Sequence, residues 1–262
     1  MDIMSVAGII AAVCLLIYGV SHGGNVSDFI ISGPAAITFG GTAAALMIAF
    51  PPRVFAELPK LFIKIFFPRL GYDCSPQKYI RAIEEISGEV KKYGILYLDE
   101  KLPGYKDGFI KKCLQLAVDS EGPEAVRAAM EKELGHMAER HRAGIAFFEK
   151  GAVFAIGFGI IGTLSGLIEL FSAAETPDLI AGGMAGALIT AFYGLILGNV
   201  IFLPMGNKLK KRSDEEILCK QLVIEGVILI INDAAPSQIR EKLILYVPPY
   251  MIKKEKSKIN VN

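Results

Sequence analysis

The chain has 262 residues, 52% of them apolar and 21% charged, with a net charge of +1 and a mean hydropathy of +0.44. This balance excludes collagenous, disordered and disulfide-framework classes, and it leaves no basic surplus to hold nucleic acid. High hydropathy beside ordinary charge requires that the two be segregated along the chain.

They are segregated. No Lys or Arg occurs from Met1 to Pro52 or from Gly151 to Asn207, so all 28 basic residues lie in Arg53–Lys150 and Lys208–Lys258. The basic-free stretches contain four apolar runs, about Ile3–Val20, Gly33–Phe50, Gly151–Phe171 and Ile180–Leu203. Each approaches the ~20 residues that carry a helix across ~30 Å of hydrocarbon. A lone segment in lipid must satisfy its own backbone groups, so helices are required. The links Ser21–Ser32 and Ser172–Leu179 hold only His22, Asp28, Glu175 and Asp178 as ionisable groups, and by the positive-inside rule they face outward.

The predicted fold is therefore an all-α integral membrane protein with four transmembrane helices and both termini cytoplasmic. A helical cytoplasmic insertion separates the second and third spans, and the third and fourth have long inward extensions. The expected domains are 1–52 (spans one and two), 53–150 (cytoplasmic helices), 151–204 (spans three and four) and 205–262 (C-terminal cytoplasmic helices and tail). The first run lacks a basic n-region and a clear cleavage site, so it reads as a retained helix.

Pro51-Pro52 stops the second span, and Arg53–Phe67 mixes Phe and Leu with Lys60 and Lys64 as an amphipathic piece at the membrane surface. Pro76–Leu98 carries a helical stripe of Ile80, Ile83, Ile86 and Val90. Pro103-Gly104 breaks the chain, Phe109–Val118 forms another helix, and Ser120-Glu121-Gly122-Pro123 is a helix start. That helix is expected to run into the third span, and the fourth to continue past Pro204 as Asn207–Ile231. Leu222–Ile231 contains Glu225 and is too short for a fifth span.

No nucleophile elbow, phosphate loop, zinc motif or paired catalytic carboxylates occur, so no enzyme activity, cofactor or metal is expected. Gly157-x-Gly159-x-x-Gly162 matches a dinucleotide fingerprint only superficially, because it lies inside an apolar run. Cys14, Cys74, Cys113 and Cys219 stand singly and read as free thiols. Glycines recur at Gly162/Gly166, Gly182/Gly186 and Gly194/Gly198, a spacing that lets helix backbones approach in lipid.

Thr163 and Thr190 fall at similar depth in the antiparallel third and fourth spans, roughly 18–21 Å from the inner boundary at ~1.5 Å per residue. Hydroxyl oxygens there suit a hard cation or hydronium. The plainer alternative is that each bonds its own helix backbone. No carboxylate sits mid-span, and Glu169 falls near the outer boundary, so an ion path would need a carboxylate from a partner.

The stretches Gly159-Ile-Ile-Gly-Thr-Leu-Ser-Gly-Leu-Ile168 and Met184-Ala-Gly-Ala-Leu-Ile-Thr-Ala-Phe-Tyr-Gly194, followed by Asn199, Pro204 and Lys208-Leu209, closely resemble MotA, the ring-forming subunit of the bacterial flagellar stator (the MotA/PomA family, distant kin of ExbB and TolQ). The likeness extends over Met1-Asp2, Gly40-Gly41-Thr42, Pro51, Lys91-x-x-Gly94-Ile-Leu-x-Leu-Asp99, Val118-Asp119, Pro123-Glu124, Arg140-His141, Glu225-Gly226 and Pro236. It implies a pentameric ring in the bacterial inner membrane around a MotB-type single-span partner that bears the essential Asp. Ion flow past that Asp would turn the ring against the rotor protein FliG. By position, Thr163 and Thr190 would line the ion path, Pro204 would serve coupling, and Lys91 and Asp99 would face FliG where the family has Arg and Glu. Two departures follow. Ile156 stands where the family usually has proline, and Thr190-Ala191 where it often has Thr-Thr. One fewer oxygen weakens a dehydrated sodium site more than proton transfer, so H+ is the expected ion and Na+ the alternative. An ExbB/TolQ-like envelope energiser, with three spans, is the alternative function.

Overall fold

The computed structural model describes residues 3–23, 26–66, 75–105, 107–119, 122–172 and 177–248. Among these every regular element is helical. Met1-Asp2, Cys74, Ser120-Glu121, Glu175 and the tail beyond Pro248, on which some of the expectations above fall, lie outside the described residues.

Helix α1 spans Ile3–Gly23 and α2 spans Ser32–Ala49, with a π-helical segment at Ala36–Gly40. Phe50, which precedes Pro51, is extended (φ −127°, ψ 140°), as the proline ring demands, and this ends α2. Helix α3 follows at Pro52–Phe66. Helix α4, Pro76–Tyr93, begins with proline at its first turn and stops where Gly94 takes φ +85°. The sequence pattern predicts this helix to Leu98; the left-handed glycine cuts it short, and the chain re-enters a brief helix α5 at Tyr97–Lys101.

Helix α6 is Gly108–Asp119. Helix α7 then runs unbroken for 50 residues, Pro123–Ser172. Helix α8, Pro177–Ile196, passes through a second π segment at Leu197–Phe202 directly into α9, Leu203–Ile231. The π segment has a local cause. Pro204 has no N–H and its ring crowds the carbonyl four residues back, so the preceding turn widens, and the Leu203 N–H bonds the Gly198 carbonyl five residues earlier. Helix α10, Pro236–Leu245, closes the described chain.

Three helical stretches, Ser32–Ala49, Pro123–Ser172 and Gly182–Ile231, are long and apolar enough to cross a membrane, and α1 contributes a shorter apolar stretch, Val6–His22. Large apolar side chains stand exposed on α1, α2 and α7, among them Leu15, Ile48 and Ile168. So much bare apolar surface suits lipid or a neighbouring subunit, not water.

The chain divides into two compact units. The first comprises Met1–Tyr72 and His141–Lys211. Here α3 lies against an aromatic cluster: Phe50 and Phe55 each place their ring centroid 5.4 Å from that of Phe147, and Phe62 lies 5.7 Å from Phe148. Such edge-on and tilted pairs are the favoured aromatic geometries. The second unit comprises Asp73–Arg140 and Arg212–Asn262. Its core joins Ile80, Ile83 and Ile86 of α4, Cys113 and Leu114 of α6, Val126 and Met130 of α7, Leu222, Val223 and Val227 of α9, and Ile239 and Leu243 of α10. The apolar stretch Leu222–Ile231 thus supplies core to this unit, and Gly226 admits the Ile83 side chain against the α9 backbone.

Candidate functional site

Within the first unit, α7 and α8 meet backbone to backbone. A Cβ on Gly194 would sit 2.6 Å from the Ala155 carbonyl oxygen and 2.9 Å from Gly159 Cα. One on Gly166 would sit 2.8 Å from Ala187 Cβ, and one on Gly198 would sit 2.9 Å from Ile156 Cγ1. Gly162 faces Thr190, whose Cγ2 would lie 2.5 Å from an added Cβ. Gly182 meets nothing within 4 Å in this chain, and Gly186 only Pro34, at 4.0 Å. On that stretch of α8 the contact with α7 is made by Gly183 and Ala187, one residue along from the Gly182/Gly186 pair.

This close approach brings the two sequence-predicted hydroxyls onto one group. Thr163 Oγ1 lies 3.0 Å from the Ala187 carbonyl oxygen and 2.9 Å from that of Gly159. Thr190 Oγ1 lies 2.7 Å from the same Ala187 oxygen and 3.3 Å from Gly186. A hydroxyl has one hydrogen to donate, so each retains lone pairs that accept. Thr190 is 1% exposed, while Thr163 is half-buried. Each hydroxyl thus bonds a carbonyl of its own helix, and both reach the one at Ala187.

A third hydroxyl belongs to this arrangement and escapes sequence reading. Thr38, fully buried in the π segment of α2, donates to the Thr190 carbonyl at 3.4 Å, and Thr42 donates to the Thr38 carbonyl at 2.5 Å. Tyr193 bonds the Phe29 carbonyl through its hydroxyl and accepts from the Ile31 N–H at 3.3 Å, tying α8 to the segment before α2. A cleft of about 190 Å³ opens beside the contact, with Ser165, Glu169 and Thr190 in its lining. Pro204 is exposed and borders a mainly apolar cavity of about 390 Å³ with Met4, Ile9, Phe66 and Lys208.

In the second unit Lys91, near the end of α4, and Asp99, in α5, are both exposed, on either side of the Gly94 turn. Tyr93 and Leu96 between them are 64% and 73% exposed, so this corner presents charge of both signs around bare apolar groups. The Tyr97 ring packs tilted against Tyr93, centroids 4.7 Å apart, and lies under the Lys101 ammonium, which pairs with Glu89 at 2.5 Å. The hydrogen bond to Glu89 holds the Lys101 pKa above its ordinary value.

Asp107 ties three helices. Its carboxylate accepts from the Tyr79 hydroxyl of α4 at 2.6 Å, the Phe109 N–H of α6 at 2.8 Å and the Lys220 ammonium of α9 at 3.0 Å. Burial alone would raise its pKa, but Tyr79, Lys220 and the backbone N–H outweigh burial and hold it below the ordinary carboxylate value. Arg127 of α7 grips Glu225 of α9 with both guanidinium nitrogens, at 2.5 and 3.0 Å, and this bond raises the Arg127 pKa. Cys14, Cys113 and Cys219 are free thiols, and burial pushes the Cys113 thiol up to about 12. Among the described residues no group of His, Cys, Asp and Glu is placed to hold a metal ion.

Residues 102–221 match the MotA/TolQ/ExbB proton channel family. The chain is 32% identical over 248 residues to YtxD of Bacillus subtilis, itself uncharacterized, covering 94% of this chain and 90% of that one. It is also 32% identical over 250 residues to Motility protein A of the same organism, with 95% and 92% covered. The flagellar MotAB stator complex of B. subtilis contains a chain of the same fold, with a TM-score of 0.86 at 30% identity, covering 98% of this chain and 99% of that one. Likeness of this extent is more than shared helical architecture: the chain belongs to the Motility protein A branch of the MotA/TolQ/ExbB proton channel family, as a flagellar stator subunit and not an enzyme.

Proposed function

We propose that the chain assembles as a pentameric ring around a MotB-type single-span partner in the bacterial inner membrane, and that ion flow between them turns the ring against the rotor protein FliG. The observation that carries this reading is the convergence of the Thr163 and Thr190 hydroxyls on the Ala187 carbonyl. Three oxygens at one point in an apolar helix pair form a relay that lacks only a titratable group, which the partner's Asp would supply.

In this reading the chain crosses the membrane four times, with both termini in the cytoplasm. Helix α1, with 21 residues, provides the first span, reaching about 31 Å at ~1.5 Å per residue. The four-span count separates this function from the three-span ExbB/TolQ-like energiser. The third and fourth spans fall within α7 and α8, with residues 53–150 and 205–262 inside. The glycines Gly162, Gly166, Gly194 and Gly198 hold the pair at bonding distance, while Gly182 and Gly186 are free to meet another copy or the partner. Pro204 serves coupling through the widened turn it forces at Leu197–Phe202. Lys91 and Asp99 form the FliG-facing corner, where both are exposed beside Tyr93 and Leu96. The transported ion is H+, with Na+ the alternative, because Ala191 offers no second side-chain oxygen beside Thr190; no cofactor is needed.

The test is Thr190→Val in cells whose only stator is this chain with its partner. Valine keeps the shape and removes the oxygen, so rotation is expected to fall at least tenfold while the complex still copurifies. Rotation at the unmutated speed would remove Thr190 from the path. Speed measured against sodium at fixed pH, and then with a protonophore, identifies the ion.

A further inference from the structure

The cleft of about 190 Å³ beside the α7–α8 contact is lined by Gly162, Ser165, Gly166, Glu169, Gly186 and Thr190, with neighbours from the start of α2. Gly162, Ser165, Gly166 and Glu169 recur at three- and four-residue spacing, so they share one face of α7. The other faces carry Leu164, Leu167 and Ile168, all exposed apolar groups. Ser165 and Glu169 thus share the cleft side, while Thr163 is turned to the Gly159 and Ala187 carbonyls. The glycines leave the cleft open where larger side chains would have filled it.

Glu169 lies six residues beyond Thr163, about 9 Å along the axis. It is one turn short of the helix end at Ser172, where unpaired carbonyls carry the negative end of the helix dipole. No Lys or Arg occurs from Gly151 to Asn207, and among the described residues no hydrogen bond or ion pair engages the Glu169 carboxylate. A carboxylate at the rim, a hydroxyl one turn below it and Thr190 in the same lining form a graded series of oxygens. Negative charge at the mouth of a low-dielectric cleft concentrates cations there.

We propose that Glu169 is the cation-gathering group of the outer mouth, drawing a monovalent cation (hydronium or sodium) into the cleft, where Ser165 passes it toward Thr190. This rests on the ion-path reading above. Glu169 itself is not the titrating site of transport; it sets how readily that site fills.

The test uses the full complex as the only stator in tethered cells, with rotation speed measured against external Na+ at fixed pH and against external pH at fixed Na+. For Glu169→Gln the half-saturating concentration of the coupling cation is expected to rise about three- to tenfold, the plateau speed being unchanged. Glu169→Asp should restore the unmutated curve, and Ser165→Ala should give a smaller rise. An unchanged half-saturation in Glu169→Gln, or a lowered plateau with the same half-saturation, overturns the proposal. Should Glu169→Gln fail to copurify with the partner, Ser165→Ala decides by the same criteria. Thr190→Val separates the two failures. If it abolishes rotation while Glu169→Gln leaves half-saturation unmoved, the ion path stands and the gathering role falls. If it leaves rotation intact, the path itself is wrong.

Discussion

Gly162 determines where Thr190 can stand. A methyl group added there would lie 2.5 Å from Thr190 Cγ2 and 2.7 Å from its Cβ, closer than carbon atoms come. Gly162→Ala is therefore expected to push the Thr190 hydroxyl off the Ala187 carbonyl and to destabilise the helix pair by about 1–3 kcal/mol. Rotation should fall several-fold with the complex still assembled, read as tethered-cell speed against the amount of complex in the membrane. Unaltered speed would mean that the pair relaxes around the methyl group and that Thr190 need not be held. Thr163 and Thr190 are legible as candidates because their depths can be counted from the span ends. Thr38 and the cleft position of Glu169 are not. Hydropathy locates a span along the chain but does not say which neighbouring helix a side chain faces, and at Thr38 the π segment also alters the turn.

Among the elements, α4, α6 and α9 depend on one carboxylate. Asp107 accepts the first N–H groups of α6 and holds Lys220, whose side chain is only 12% exposed. Asp107→Asn keeps the cap and loses the ion pair, leaving Lys220 in a poorly solvated place, and is expected to lower stability by about 1–3 kcal/mol at pH 7. The pH dependence has a defined sign. The folded-state pKa is depressed, so the contribution is present above the unfolded value of about 3.9 and is lost as pH falls through the folded value. Thermal unfolding of the purified full chain in detergent, at pH 7 and below pH 4, checks both. The gap between unmutated chain and variant should narrow in acid; a constant gap would show that the carboxylate's charge does nothing. The start of α6 is visible in the sequence as Asp107-Gly108 before an apolar run. The bond to Lys220, 113 residues away, is not. Likewise the stripe on α4 is legible, but its end at Tyr93 turns on the single backbone angle at Gly94.

For the whole molecule, the hydroxyl locus contains only neutral groups. Thr163 and Thr190 both lie against backbone carbonyls, and no Asp, Glu, Lys, Arg or His lies between Gly151 and Ile168 or between Leu179 and Asn207. In the ion-path reading, two hydroxyls and one carbonyl are too few ligands to hold an ion in hydrocarbon without a charged partner group. The chain expressed without a MotB-type partner should therefore leave vesicles as tight to protons and sodium as control vesicles, measured by dye quenching; a strong current from this chain alone would place the charged step within it. The backbone seam between α7 and α8 has a further consequence, for how such a subunit can diverge. With Gly194 and Gly159 already touching, the seam cannot be tightened further. If the ion path proposed above runs here, a change of ion specificity comes from adding or removing oxygens at neighbouring positions such as Ala191 and Ser165. On that reading, subunits that exchange protons for sodium are expected to differ in their inventory of hydroxyls, with the spacing of the two helices kept.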